Sequence, residues 1–128
     1  MAESDSKSKV TGLIPMAFVA DVQRSVDFYK YLGMETRGSL KTPSGQLRWV
    51  HLGCEQADLM FARASDPVIA SQQAVLFYLY SPDLIALRAH LLGNGVKVSP
   101  ITYPDYMTKG EIRLDDPDGY VLLIGQAG

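Results

Sequence analysis

The sequence predicts an α+β chain in which one βαβββ unit occurs twice in tandem. Three observations predict it. Strand-like and helix-like patterns follow in the same order in each half. The halves register at one spacing: Asp21 and Asp83 lie 62 apart (83 − 21), as do Val22 and Leu84, Gly33 and Gly95, and Leu52 and Leu114. Each helical stretch is bracketed by a polar cap and a stopping Gly. Agreement of order and spacing is the mark of an internal repeat.

The elements follow in order. Leu13 to Val19 is a short apolar strand. Asp21 then caps a helix in which Val22, Val26, Phe28 and Tyr29 recur at helical spacing, and Gly33 ends it. Met34 to Leu40 is a strand, Thr42-Pro43-Ser44-Gly45 a turn, and Leu47 to Leu52 an alternating strand. A turn over Gly53 to Gln56 leads into a strand from Ala57 to Ala64. Residues 65–73 carry a Pro and polar side chains and read as a linker. The pattern then restarts. Val75 to Tyr80 is rich in β-formers. Ser81 is the expected cap of the second helix, with Pro82 in its first position and Leu84, Leu87, Leu91 and Leu92 as its apolar stripe. Val96 to Val98 is expected to begin a strand, and Pro100 to Lys109 forms a long loop. Glu111 to Leu114 and Tyr120 to Gln126 close as a hairpin around Asp-Pro-Asp-Gly, a turn signature that accounts for Asp115, Asp116 and Asp118. The units are therefore expected at 13–64 and 74–128, within one domain at 13–126 that follows a flexible tail at 1–12.

Bulk properties exclude several classes. A net charge of −2 with scattered Lys and Arg leaves no footprint for nucleic acid or an anionic membrane. The N-terminal stretch MAESDSKSKVTG lacks the apolar core of a secretory signal. No apolar run approaches the ~20 residues that span a bilayer. A cytoplasmic protein is the expectation. The single Cys54 rules out an intramolecular disulfide framework and a multi-Cys zinc site. There is no Ser-His-Asp or Cys-His arrangement and no dinucleotide fingerprint.

Two segments carry a family likeness: VADVQRSVDFYKYLGM, opening the first half, and DDPDGY, in the closing hairpin of the second. With the repeated βαβββ order they resemble the vicinal oxygen chelate superfamily, the group of glyoxalases, bleomycin resistance proteins and extradiol dioxygenases. The resemblance covers Leu13 to Gln126. It implies two curved sheets forming a mixed-sheet cup around a ligand, helices on the convex face, and a homodimer. In metal-dependent relatives it also implies a divalent ion held by His, Glu or Gln on the first and last strand of each unit. Here the matching positions are Ile14, Leu76 and Leu123. The fourth falls at Phe61 by the same offset (123 − 62), with Asp58 as the substitute if the hairpin differs in length. Hydrocarbon side chains donate no lone pair, so no metal and no other cofactor is expected.

Strand alternation predicts the lining of the cup. Val50, Leu52, Ile112, Leu114, Phe77 and Leu79 suit packing against helices. The opposite faces bring Ile14, Met16, Phe18, Trp49 and His51 from the first half to the cup. From the second come Leu76, Tyr78, Tyr80, Glu111, Arg113, Val121 and Leu123. Tyr103 and Tyr106, on the loop Thr102 to Gly110, are placed to fold over the mouth. Aromatic and aliphatic groups with a few polar ones suit a small organic ligand. Arg113 is suited to clamp an anion. Met60 serves if it faces inward. Other readings stay open: Trp49 and the tyrosines as interface or core residues, Glu111 and Arg113 as a structural ion pair, and His51 as an ordinary strand histidine.

The expected function is a metal-free, homodimeric, glyoxalase-like protein binding a small, partly aromatic molecule, with sequestration of a toxic compound as one form. Bleomycin is cationic, and Arg113 argues against it. One alternative is a metal-independent enzyme with His51 or Glu111 moving a proton and Arg113 stabilising an anion. Others are a metal-dependent lyase or dioxygenase, if the strand register differs, and a purely structural or regulatory dimer.

Overall fold

A computed structural model describes residues 8–128; the remainder of the expected tail lies outside the described residues. Ten regular elements follow in order. They are β1 (Met16–Val19), α1 (Val22–Lys30), β2 (Glu35–Lys41), β3 (Leu47–Cys54), β4 (Ala57–Arg63), a 3-10 turn (Ala70–Gln72), β5 (Leu76–Ser81), α2 (Leu84–Gly93), β6 (Glu111–Asp115) and β7 (Val121–Gln126). They form two mixed sheets, ordered β1-β4-β3-β2 and β5-β7-β6. In each, the first strand runs parallel to the last, and the last is antiparallel to its predecessor. A helix between the first strand and its parallel partner lets the chain return in the same direction, which a hairpin cannot do.

Both helices are placed by the repeated signals. Asp21 accepts a hydrogen bond from the Arg24 backbone N–H, and Asp83 accepts one from Ala86. The second N-cap is thus Asp83 rather than the expected Ser81. Ser81 is still the last residue of β5, where its hydroxyl accepts from the Asp83 N–H at 3.3 Å. Val22, Val26 and Tyr29 bury one stripe of α1 against the first sheet. On α2 only Leu84 and Leu91 are fully buried, while Leu92 is 47% exposed. Helical geometry explains the difference from the expected stripe: 84, 87 and 91 share a face, and 92 turns 100° away from 91.

The core joins the helix-side faces of both sheets. Ala17, Val19, Val50, Leu52, Leu59 and Phe61 come from the first, and Ile112, Leu114, Leu122 and Ile124 from the second. Burying a side chain of this size stabilises the fold by ~1.5–3 kcal/mol.

The halves are pinned by the closing turn. The Tyr29 hydroxyl donates to Asp116 Oδ2 at 2.8 Å. Asp118 Oδ1 accepts from the Ala20 backbone N–H at 2.9 Å and from Arg24 at 3.3 Å. The Tyr120 hydroxyl donates to the Phe18 carbonyl at 2.8 Å. The acidic cluster therefore does more than shape a turn: Asp116 and Asp118 are buried and bind across the repeat. Burial raises the Asp116 carboxyl above its ordinary range, and burial beside Asp116 raises the Tyr29 phenol.

One expected strand is absent among the described residues. Residues 96–102 touch the second sheet at two places. The Ser99 N–H donates to the Arg113 carbonyl at 2.9 Å, and Thr102 forms an isolated bridge with Glu111. Pro100 has no N–H to donate between them, so no ladder forms.

Candidate functional site

The pleat leaves the side of each sheet away from its helix as an open face. Across the first sheet the register aligns two rows. One is Met16, Met60, His51 and Gly38; the other is Phe18, Ala62, Trp49 and Leu40. Strand alternation brings Met60 to the open face and turns Phe61 inward. Phe18 and Met16 are 58% and 54% exposed, although both are large and apolar. A cleft of about 660 Å³ lies over this face, lined by Met16, Leu40, Trp49 and Ala62 with Arg48, Arg63, Ala64 and Ser65 at its rim. Trp49 spreads over Gly38 of the neighbouring strand, where an added Cβ would lie 3.5 Å from the ring. Phe18 instead lines an adjoining hollow of about 360 Å³ with the 64–69 segment, Gln72, Gln73 and Tyr120.

Beside Met60, His51 Nε2 meets Asp58 Oδ1 at 2.8 Å, and Arg37 donates to the same oxygen at 2.6 Å. The hydrogen bonds from His51 and Arg37 hold the Asp58 carboxyl below its ordinary range. Arg37 lies at a bulge between Thr36 and Gly38 and crosses over Gly53, where its guanidinium leaves no room for a Cβ. Asp58 is therefore already committed to two partners, and His51 lines neither cavity.

The second sheet has matching rows: Tyr78, Leu123 and Arg113, then Tyr80, Gly125 and Glu111. Here the face is covered only around Glu111 and Gly125, while Leu76 and Tyr80 stay exposed. The Tyr78 hydroxyl donates to Glu111 Oε2 at 2.6 Å, and the Tyr106 hydroxyl to Oε1 at 2.8 Å. Burial together with the Glu111 carboxylate raises the Tyr78 phenol, and the hydrogen bond to Glu111 raises Tyr106. Both are thus held as donors. Met107 lies over Gly125, where a Cβ would meet its Cε at 2.7 Å. The 102–110 loop thus reaches the face of its own unit's sheet through Tyr106 and Met107.

Glu111 and Arg113 do not pair. Glu111 is 6% exposed between the two phenols, while Arg113 reaches Asp115 at 3.4 Å in solvent. His51, Glu111 and Arg113, the expected polar trio, thus make three separate contacts on two sheets. Tyr80 stacks loosely on Tyr78 at 5.3 Å, and Tyr103 is exposed beside Gly110.

The register also corrects the metal positions that the resemblance implied. Met16 pairs with Met60 as Tyr78 pairs with Leu123, so the partner of Leu123 in the repeat is Met60, not Phe61. The second hairpin holds one residue more than the first. Gly53 pairs with Asp58, five positions on (58 − 53), and Asp115 with Val121, six on (121 − 115). Phe61 is fully buried on the helix side. The four positions are Ile14, Met60, Leu76 and Leu123: three hydrocarbons and one neutral thioether. Zinc and its relatives bind thiolate, imidazole or carboxylate, so this set does not fit them. Among the described residues, no three His, Cys, Asp or Glu side chains come together.

Sequence reasoning reached Met16 and Trp49 but missed Leu40, Arg48, Ala62 and Arg63 in the cleft. Leu40 was legible as an apolar residue ending a strand of polar ones.

Two repeated units, each a helix packed on a small mixed sheet of four or three strands, define an α+β fold of tandem repeats. The chain belongs to the glyoxalase/bleomycin resistance protein/dioxygenase superfamily, whose model matches residues 13–124. Among solved structures it is similar to a bleomycin-binding protein complexed with bleomycin, with 17% identity over 93% of this chain and 100% of that one, at a TM-score of 0.73. It is similar to the bleomycin resistance determinant encoded on transposon Tn5, with 17% identity over 91% and 98% of the two chains and a TM-score of 0.73. It is also similar to TnmS3, an antibiotic binding protein from a Streptomyces species, with 20% identity over 94% and 99% and a TM-score of 0.67. No curated protein matches this chain. Among the described residues no helix is long and apolar enough to cross a membrane.

Proposed function

We propose that this protein binds a small, partly aromatic organic molecule on the open face of its first sheet, without a metal ion. The observation that carries the reading is the cleft around Trp49. Its volume, about 660 Å³, suits a drug-sized ligand, and its floor is apolar and aromatic. The family membership and the antibiotic-binding structural relatives support the same reading. Sequestration of a toxic compound is the role that fits it, in the cytoplasm and as a homodimer in which the exposed sheet faces of two copies meet. No nucleic acid or membrane partner is proposed.

The test is a small-molecule screen read by melting temperature and by emission of Trp49, the only Trp of the chain. A ligand that binds only the folded state must raise the melting temperature. Hits that shift both signals, and lose their effect in Trp49→Ala, support the reading. Hits that act equally on Trp49→Ala move the site elsewhere. Melting with added Zn²⁺, Ni²⁺, Mn²⁺ or Fe²⁺ tests the metal-free part: a stoichiometric ion with a stability gain overturns it.

A further inference from the structure

Gly125 stands between Tyr80 and Glu111 on the outer face of the second sheet, paired with both. Lacking a side chain, it leaves a bare spot, and Met107 fills it: a Cβ on Gly125 would meet Met107 Cε at 2.7 Å and the Tyr78 hydroxyl at 3.1 Å. Around this spot stand Tyr78 and Tyr80, with ring centres 5.3 Å apart, and the Glu111 carboxylate. Glu111 is 6% exposed, yet among the described residues no Lys or Arg pairs with it. Arg113, two residues on and on the same face, turns to Asp115 in solvent, and Lys109 donates to the Gly128 carbonyl. A carboxylate taken out of water without a cation is costly, and two phenol hydrogen bonds offset that cost only in part.

The cover over this spot is lightly held. Between the Thr102–Glu111 bridge and Gly110, the backbone makes only turn bonds to itself, from the Met107 N–H to Pro104 and from the Gly110 N–H to Met107. Two side chains reach the face of the sheet: the Tyr106 hydroxyl on Glu111 Oε1 and the Met107 thioether on Gly125. Gly110, at φ +121°, gives the segment a hinge that other residues rarely permit. Methionine is flexible and unbranched, so it leaves its place readily. When the segment lifts, Oε1 loses a neutral O–H donor and gains room for a charged N–H donor, which makes the stronger hydrogen bond. The tyrosine rings attract the same charge. We infer that the second sheet carries a separate site for an organic ammonium ion with at least one N–H, bonded to Glu111 over Gly125 and flanked by Tyr78 and Tyr80. Residues 103–109 are its lid, and Met107 sits in the ligand's place.

The experiment titrates phenethylamine and phenethyl alcohol, one shape with and without the charge, by calorimetry into the whole protein and into M107A, Y106F, E111Q and W49A, each checked by its melting curve. The amine is expected to bind roughly tenfold tighter than the alcohol, the increment of one charge-assisted contact. A site open only part of the time loses affinity in proportion. M107A and Y106F loosen the lid and leave Glu111 in place, so they are expected to tighten amine binding about fivefold, and this arm does not depend on E111Q folding. In E111Q the amine is expected to fall to the affinity of the alcohol, and in W49A to be unchanged. Equal binding of the two probes, or an undiminished preference in E111Q, overturns the charge assignment. Loss of amine binding in W49A moves it to the first cleft and overturns the separate site. Amine binding that M107A and Y106F leave as it was overturns the lid. No binding of the amine even to M107A overturns the inference entire, and the reading of the first cleft stands or falls by its own screen.

Discussion

Ala62 on β4 and Gly125 on β7 stand at the same place in the two units, each two residues beyond a matched pair. Ala62 lines an open cleft, whereas Gly125 lies under Met107. Trp49 and Glu111 are equivalent in the same way. Trp49 faces the cleft as a bare aromatic surface, while Glu111 is enclosed by Tyr78 and Tyr106. One scaffold built twice has thus produced one open face and one on which the loop encloses Glu111 and Gly125 while Leu76 and Tyr80 stay exposed. The first unit spends the corresponding stretch of chain on β2 and β3, which pair along their length with two register shifts. In the second unit the same stretch leaves the sheet at Pro100 and returns at Glu111, long enough to fold back over the face.

The comparison presumes that the two units share one core, and breaking their seam should have the largest effect. Asp118→Ala removes the buried acceptor of the Ala20 N–H and the Arg24 guanidinium, and should cost about 1.5–3 kcal/mol in chemical denaturation, the worth of hydrogen bonds to a charged group. A loss near zero would mean the halves are held by apolar packing and by the Tyr29–Asp116 and Tyr120–Phe18 bonds without help from Asp118.

Gly125→Val tests the covered face next. The added side chain meets Met107 and the Tyr78 hydroxyl, so the loop must lift, at about 1–3 kcal/mol. Proteolysis within residues 102–110 should accelerate. The matching change on the open face, Ala62→Leu, should leave stability within about 0.5 kcal/mol and abolish binding at Trp49. Reversal of these two outcomes would reverse the assignment of open and covered faces.

Tyr106→Phe should be milder, about 0.5–1.5 kcal/mol, with faster hydrogen exchange along the loop, because Tyr78 still holds Glu111. The smallest effect concerns pH. Asp58 has a folded pKa below its ordinary value, so its contribution is present above that value and is lost as pH falls through the lowered one. Asp58→Asn should remove this acid-limb dependence and lose the same small contribution at neutral pH, so that the two proteins converge in acid. An unchanged acid limb would assign it to another carboxylate.

Much of this was legible in the residues themselves. The Asp21 cap and the Gly stops at 33 and 95 are local signals that place both helices, although the second cap fell at Asp83 and not at Ser81. The alternation of Trp49 and His51 against Val50 and Leu52 follows from the pleat alone, and the burial agrees. The site was legible only in part. Met16 and Trp49 came through because they stand on the open face of strands that alternate. Phe61 was misplaced because an offset read from helices does not count residues inside a hairpin.

What the sequence determined by itself is the repeat, the two helices and the inner and outer faces of each strand. Periodicity, capping and turn chemistry act over a few residues and need no distant partner. What the tertiary structure alone decided is where the 102–110 loop lies, where Arg113 and Glu111 find their partners, and that Met60 rather than Phe61 matches Leu123. Those outcomes depend on strand register and on where a flexible loop comes to rest. Both are set by free-energy differences between groups far apart in the chain, which no local pattern encodes.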